Sequence, residues 1–245
     1  MEFKGKKLNQ KLKEKLRGKE ITFIPQSINF LNPLVKISDQ VISETINKSD
    51  EKAKKSHQRK VFERYGLHKE VDDLYPFQLS GGMARKVLIS TALLQSPKLV
   101  IADEPTPGLD DVALEETLKN IKQMATDGIG VLLITHDINA ALKVANKIAI
   151  FYSGYVIEIA NTEDFTSGDE NLKHPYTRAL YKALPQNGFK LYKGYHLSYN
   201  KFQEGCIYYD RCSHPSDMCM KINPDLQEIE GKKVRCHRGH RKYSR

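Results

Sequence analysis

The densest chemistry in these 245 residues lies at LeuValIleAlaAspGluPro, 99–105, where an apolar run ends in two adjacent carboxylates. At the carboxyl end of a strand, such a pair can hold a nucleotide phosphate and its Mg²⁺. Asp103 would belong to the Mg²⁺ shell, and Glu104 would polarise a water for attack. Carboxylates before a proline also start helices well, so a plain N-cap is the competing reading. LeuSerGlyGlyMet at 79–83 stands before a helical pattern. There Ser80, Gly81 and Gly82 would turn backbone N–H groups and the positive end of the helix dipole toward an anion. An ordinary serine cap with permissive glycines reads the same way. His136 follows the apolar run 131–135 and could donate to a phosphate oxygen; a satisfied structural histidine is the competing reading. Gln26 closes PheIleProGln at 23–26 and could orient a water or a metal ligand.

Alternating elements must position these groups. Apolar residues at helical spacing mark 83–95, and LeuValIleAla at 99–102 reads as a strand. Residues 111–126 carry Leu114, Leu118 and Ile121 on one stripe, which predicts an amphipathic helix. GlyIleGly at 128–130 stops it, and ValLeuLeuIleThr at 131–135 reads as a second buried strand. A helix over 137–146 leads to IleAlaIlePheTyr at 148–152, and SerGly at 153–154 turns the chain into TyrValIleGluIle at 155–159, a hairpin. Short apolar strands separated by helices predict an α/β core, a mostly parallel sheet with helices on both faces. Residues 36–76 are polar and helix-prone, a helical insertion. The texture changes again near ProGlnAsnGlyPhe, 185–189, and all four cysteines follow it.

Composition narrows the class. Hydrophobic residues make up 40% and charged residues 28%, which excludes wholesale disorder and a collagen-like fibre. No run is apolar enough to span a membrane, and the start has no signal-like apolar region, so a cytosolic chain is expected. The net charge of +9 is uneven: residues 1–20 carry +5, residues 232–245 carry +7, and the stretch between sums to −3. The basic ends suit a polyanion or simple solvation.

In order along the chain come a glutamine, a helical stretch, LeuSerGlyGly, a strand with AspGlu, GlyLeuAsp, and a strand with histidine. Over residues 19 to about 165 this constellation resembles the nucleotide-binding subunit of ABC transporters. The resemblance implies Gln26 as the Q-loop, Ser80-Gly81-Gly82 as the signature, and Asp103-Glu104 as Walker B. It also puts Asp110 on the D-loop and His136 at the switch histidine. LeuAsnProLeu at 31–34, TyrProPheGlnLeuSerGlyGlyMet at 75–83 and HisProTyrThrArgAlaLeu at 174–180 are similar to the peptide and nickel importer group. Four regions follow: 1–30, the end of an amino-terminal lobe; 31–95, a helical subdomain with the signature; 96–170, the α/β core; and 171–245, a cysteine-bearing extension.

One motif of that family is not among these residues. Gly5, Gly18 and Gly231 precede lysines, but none sits in G-x-x-x-x-G-K-[ST], the loop that cradles phosphates and supplies a lysine and a Mg²⁺-binding hydroxyl. MetGluPheLysGlyLysLysLeu at 1–8 looks like a strand and turn shortly before the Q-loop. The expectation is therefore an amino-terminally truncated cassette, through a partial sequence, a misassigned start or a true truncation, inactive toward ATP by itself. The resemblance implies an ATP-hydrolysing importer subunit for peptides or nickel, on the cytoplasmic face of the membrane. Its partners would be a second ATPase subunit, two permease subunits and, indirectly, a substrate-binding protein. Its cofactors would be ATP and Mg²⁺. Two rival readings are a catalytically incompetent partner lending only its signature, and an iron–sulfur protein associated with nucleic acid. The latter is disfavoured by basic ends without interleaved aromatics.

Cys206, Cys212, Cys219 and Cys236 have the spacing C-x5-C-x6-C-x16-C. In a cytosolic chain four clustered cysteines argue for metal or redox chemistry over disulfides. C-x-x-C pairs, usual for zinc, are missing, while four thiolates also suit an iron–sulfur cluster. The resemblance points to a [4Fe–4S] cluster, with Zn²⁺ or four metal-free thiols as alternatives. Arg211, Arg235 and His237 flank the cysteines and could offset thiolate charge.

Overall fold

The structure is a computed structural model that describes residues 2–3, 5–42, 50–190 and 204–239. Parts of the helical stretch (43–49) and of the basic tail (240–245) lie outside the described residues. The chain forms two compact units, Met1–Val144 and Ala145–Arg245.

The first unit opens with β1 (Glu2–Phe3) and β2 (Lys6–Lys7), a two-residue antiparallel pair matching the strand and turn expected there. Helix α1 (Gln10–Leu16) is capped by Asn9, whose side chain accepts from the Leu12 N–H, and leads into β3 (Ile21–Ile24). Pro25 has no N–H to continue a ladder, so the strand stops there. Helices α2 (Ile37–Gln40), α3 (Glu51–Arg64) and α4 (Gly81–Leu93) follow. They enclose an apolar core of their own that includes Ile37, Val41, Phe62, Leu67, Val87 and Leu94. The helical insertion read from residues 36–76 therefore has its own buried centre.

Next come β4 (Leu99–Asp103), α5 (Asp111–Thr126), β5 (Gly130–Ile134) and α6 (Ile138–Val144). The three longer strands form one parallel sheet in the order β3-β4-β5, with Phe23, Ile101 and Leu132 in register. Parallel pairing needs crossovers, which the helical stretch supplies between β3 and β4 and α5 supplies between β4 and β5. On one face Ile24, Val100 and Ala102 bury against Ile89, Ala92 and Leu93 of α4 and Met124 of α5. The other face departs from expectation. Phe23 is 49% exposed, Leu132 51% and Ile134 46%. Among the described residues helices cover one face, not two, and β5 is an edge strand rather than a fully buried one. The period of two sends alternate apolar side chains to the uncovered side.

The second unit holds β6 (Lys147–Tyr152) and β7 (Tyr155–Asn161), joined by Ser153 and Gly154 at φ +45° and +82°. Two consecutive positive-φ residues give the turn whose twist suits a tight hairpin, as the SerGly pair predicted. Helices α7 (Thr162–Thr166), α8 (Pro175–Lys182) and α9 (Asp217–Lys221) precede β8 (Gln227–Ile229) and β9 (Lys232–Val234). The sheet runs β6-β7-β9-β8, all antiparallel. Hairpin and cysteine-bearing tail thus share one sheet. Glu158 on β7 is fully buried, and its carboxylate accepts the backbone N–H groups of Lys173 (2.7 Å) and His174 (2.9 Å) at the start of α8.

Candidate functional site

The carboxyl ends of β3, β4 and β5 lie side by side, so Gln26, Asp103, Glu104 and His136 leave the sheet along one edge. Asp103 is the last residue of β4 and is half-buried. Helix α5 is capped by Asp110, not by Asp103 or Glu104, so the N-cap reading of the carboxylate pair falls. Glu104 extends the ladder by donating its N–H to the Ile134 carbonyl at 2.9 Å, then turns the backbone at φ +44°. A side chain in the left-handed region is strained, and such positions persist where the surroundings hold them.

Here the surroundings are specific. Glu104 Oε1 accepts both the backbone N–H of His136 (3.0 Å) and its ring Nδ1 (2.8 Å). Glu104 Oε2 is buried and has no hydrogen-bond partner among the described residues. An unmet buried acceptor is costly, so Oε2 is open to a donor such as a water. The His136 side chain is 78% exposed, and the hydrogen bond and charge of Glu104 raise its pKa above the ordinary 6.5. With Nδ1 committed to the carboxylate, Nε2 is left for another partner.

The remaining candidates form a second group. Ser80 caps α4, its hydroxyl accepting from the Met83 N–H at 3.2 Å, and Asp110 caps α5, its carboxylate accepting from the Ala113 N–H at 2.8 Å. Both helix starts open on one depression of about 340 Å³, lined by Ser80, Gly81, Gly82, Gly108 and Asp110 among others. Lys86 and Glu116 form a 2.8 Å ion pair in its wall. The cap and the anion-site readings of LeuSerGlyGly are thus compatible: one hydroxyl caps while neighbouring N–H groups stay open.

Sequence reasoning passed over Arg85. It is 4% exposed, and its guanidinium donates to the carbonyls of Pro25 (2.8 Å) and Gln26 (3.0 Å). The available signal was an arginine on the helix face that carries Leu88, Ile89 and Ala92 to the core.

The cysteines converge. Cys206 and Cys219 are buried, Cys212 and Cys236 are half-buried, and none is disulfide-bonded. Burial pushes the Cys206 thiol up to about 11, and the other three cysteines push the same way, so all four lie within electrostatic reach. The Cys206 N–H donates to the Cys219 carbonyl at 2.7 Å, and the His214 N–H to Cys212 Sγ at 3.4 Å. Gly205 has no side chain for a reason: a Cβ would stand 2.3 Å from the Met220 carbonyl oxygen. Among the described residues no three histidine, cysteine or acidic side chains are disposed to hold one metal ion. The flanking charges differ from expectation. Arg211 lies over the Tyr152 and Tyr208 rings, Arg235 donates to the carbonyls of Val156 and Pro224, and His237 Nε2 meets the Ile222 carbonyl. Burial raises the Cys212 pKa, and the cation that opposes this is Arg238.

Residues 1–107 match the ABC transporter family, and residues 157–219 match the oligopeptide/dipeptide transporter C-terminal region. The chain is 30% identical over 241 residues to the dipeptide transport ATP-binding protein DppD of Haemophilus influenzae, covering 94% of this chain and 72% of that protein. It is 33% identical over 234 residues to the oligopeptide transport ATP-binding protein AppD of Bacillus subtilis, covering 91% and 70%. The dimeric post-hydrolysis structure of the ATP-binding cassette MJ0796 with ADP and Pi is similar at a TM-score of 0.55 and 27% identity. That similarity covers 63% of this chain and 68% of that one.

Proposed function

Because the chain belongs to the ATP-binding proteins of oligopeptide and dipeptide ABC transport, we propose that it supplies part of an ATP-hydrolysing site that powers peptide uptake. The observation that carries this reading is the double hydrogen bond from His136 to Glu104 at the ends of adjacent parallel strands. Glu104 acts as the base toward the attacking water, its orphan Oε2 receiving the proton, while His136 holds the carboxylate and keeps Nε2 for the γ-phosphate. Asp103 offers the hard oxygen that Mg²⁺ prefers, and the ion would neutralise charge on the leaving phosphates. Gln26 senses the γ-phosphate from the neighbouring strand end. Ser80, Gly81, Gly82 and Asp110 serve a second cassette's nucleotide across a two-subunit interface, consistent with their separate depression.

The relatives are named for dipeptides and oligopeptides, which favours peptides over nickel as cargo. Exposed Phe30 (70%), Leu34 (84%) and Phe77 (74%) on the helical portion suit a groove for a helix of a membrane-spanning permease. Among the described residues no helix is long and apolar enough to cross a membrane. This reading places the chain on the cytoplasmic face through that docking, with a substrate-binding protein acting across the membrane.

Residues 1–245 contain no phosphate loop, so these residues alone should hydrolyse ATP negligibly. Joined to an upstream segment bearing G-x-x-x-x-G-K-[ST], they should turn ATP over, and Glu104→Gln should lower kcat by about 100-fold or more. Brisk turnover by the 245 residues, or an unaffected Glu104→Gln rate, would overturn the assignment. A second reading, for which the separate depression at Ser80 and Asp110 speaks, is a partner lending only its signature. In a mixture with a complete cassette, Ser80→Arg then matters and Glu104→Gln does not.

For the cysteines we favour a [4Fe–4S] cluster. What supports it is the ligand type and the influence of the other three cysteines on Cys206; among the described residues no three such side chains are disposed to hold one metal ion. Metal binding would have to displace the Cys206 and Cys212 thiol protons, which burial holds. Anaerobic reconstitution should give a brown protein with iron and sulfide in equal amounts, and a colourless, iron-free product rejects the cluster.

A further inference from the structure

Arg85 joins two motifs that the proposed function keeps apart. It sits on α4 five residues beyond Ser80, so roughly 7.5 Å of rigid helix separates it from that cap. Its guanidinium reaches back across sixty residues of sequence to the carbonyls of Pro25 and Gln26, the two residues at which β3 gives way to the Q-loop. The group is 4% exposed, and its Nε is buried without a partner. Among the described residues no carboxylate forms an ion pair with it. A buried cation held by carbonyl dipoles alone leaves little freedom to either side, because moving one carbonyl strands a donor in the interior. A planar fork, unlike an ammonium, can meet two adjacent carbonyls at once.

We infer that Arg85 is a positioning residue that ties the signature helix to the Q-loop backbone, so that a shift at Gln26 moves Ser80, Gly81 and Gly82 with it. Resting on the ABC reading for its functional consequence, the clamp makes this chain's own γ-phosphate sensor report directly to the surface offered to a second cassette. Arg85 touches neither substrate nor reacting atoms; it acts through α4.

Hydrogen exchange on the chain itself tests the clamp. In Arg85→Met and Arg85→Lys, amides at Ser27–Leu31 should exchange about tenfold faster, the size of one lost charged hydrogen bond, with α5 and the second unit unchanged. Unchanged exchange at those amides overturns the inference. Should both variants fail to fold, the unsubstituted chain still decides it. The Arg85 guanidinium protons should persist in NMR spectra under conditions that bleach exposed arginines, and their rapid loss to solvent refutes the clamp. In a transporter reconstituted with the partner cassette and permeases, both variants should lower dipeptide uptake per ATP hydrolysed by about tenfold while ATP turnover stays within about twofold. A proportional fall in uptake and turnover marks a merely structural role and overturns the coupling. If the unsubstituted assembly imports no dipeptide while exchange responds as stated, the transport reading fails and the clamp stands.

Discussion

Glu104 shows how one backbone angle arranges a site. At φ +44° the chain leaves β4 sharply, and the carboxylate turns across the sheet edge toward His136, two residues past β5. His136 answers with two donors to the same oxygen, so the pair is held by main chain and side chain together. Because the carboxylate favours the protonated ring, His136 should titrate above 6.5 in an NMR pH series. Glu104→Gln should return it toward 6.5, while a titration unmoved by the substitution would break the assigned pairing. The sign follows for stability. With the folded pKa above the unfolded one, the contribution is full below about 6.5 and is lost as pH rises through the raised value. High exposure of His136 keeps that contribution small.

At the scale of elements, function gathers at helix starts. Helices α4 and α5 begin with Ser80 and Asp110 caps that line one depression, and α8 begins with His174. His174 is 1% exposed, and its Nδ1 accepts the Tyr176 N–H at 3.1 Å, so the HisProTyrThr motif reads physically as a cap followed by proline at the first turn. Burial lowers its pKa to about 3. Its contribution is therefore present above about 6.5 and is lost as pH falls toward 3. Across that window the second unit should lose about 1.4 kcal/mol per pH unit, as the unfolded chain takes the proton the folded one refuses. His174→Asn keeps a capping side chain without the titration, so its thermal melts should be flatter between pH 6 and about 4. An equal slope in both proteins would contradict the assignment. Glu158 works in the opposite sense: burial raises its pKa, so its contribution holds at low pH and fades as pH rises through the raised value, which the His174→Asn comparison leaves constant.

Across the whole molecule, much was legible in the sequence. The helix over 111–126, the strand ending at Asp103 and the SerGly hairpin stand where periodicity, caps and turn residues put them, because each depends on residues near in the chain. The order of motifs was likewise enough to place Gln26, Glu104 and His136 at strand ends. Folding alone decided the rest. It brought His136 onto Glu104, set Arg85 against Pro25 and Gln26, left Phe23, Leu132 and Ile134 on an open face, and joined β9 to β7. It also turned the charged neighbours of the cysteines toward carbonyls and rings. Local pattern names an element and its faces. Which face is covered, and which distant group a side chain meets, depends on strand order and on the path of the crossovers, and no short window of residues contains either.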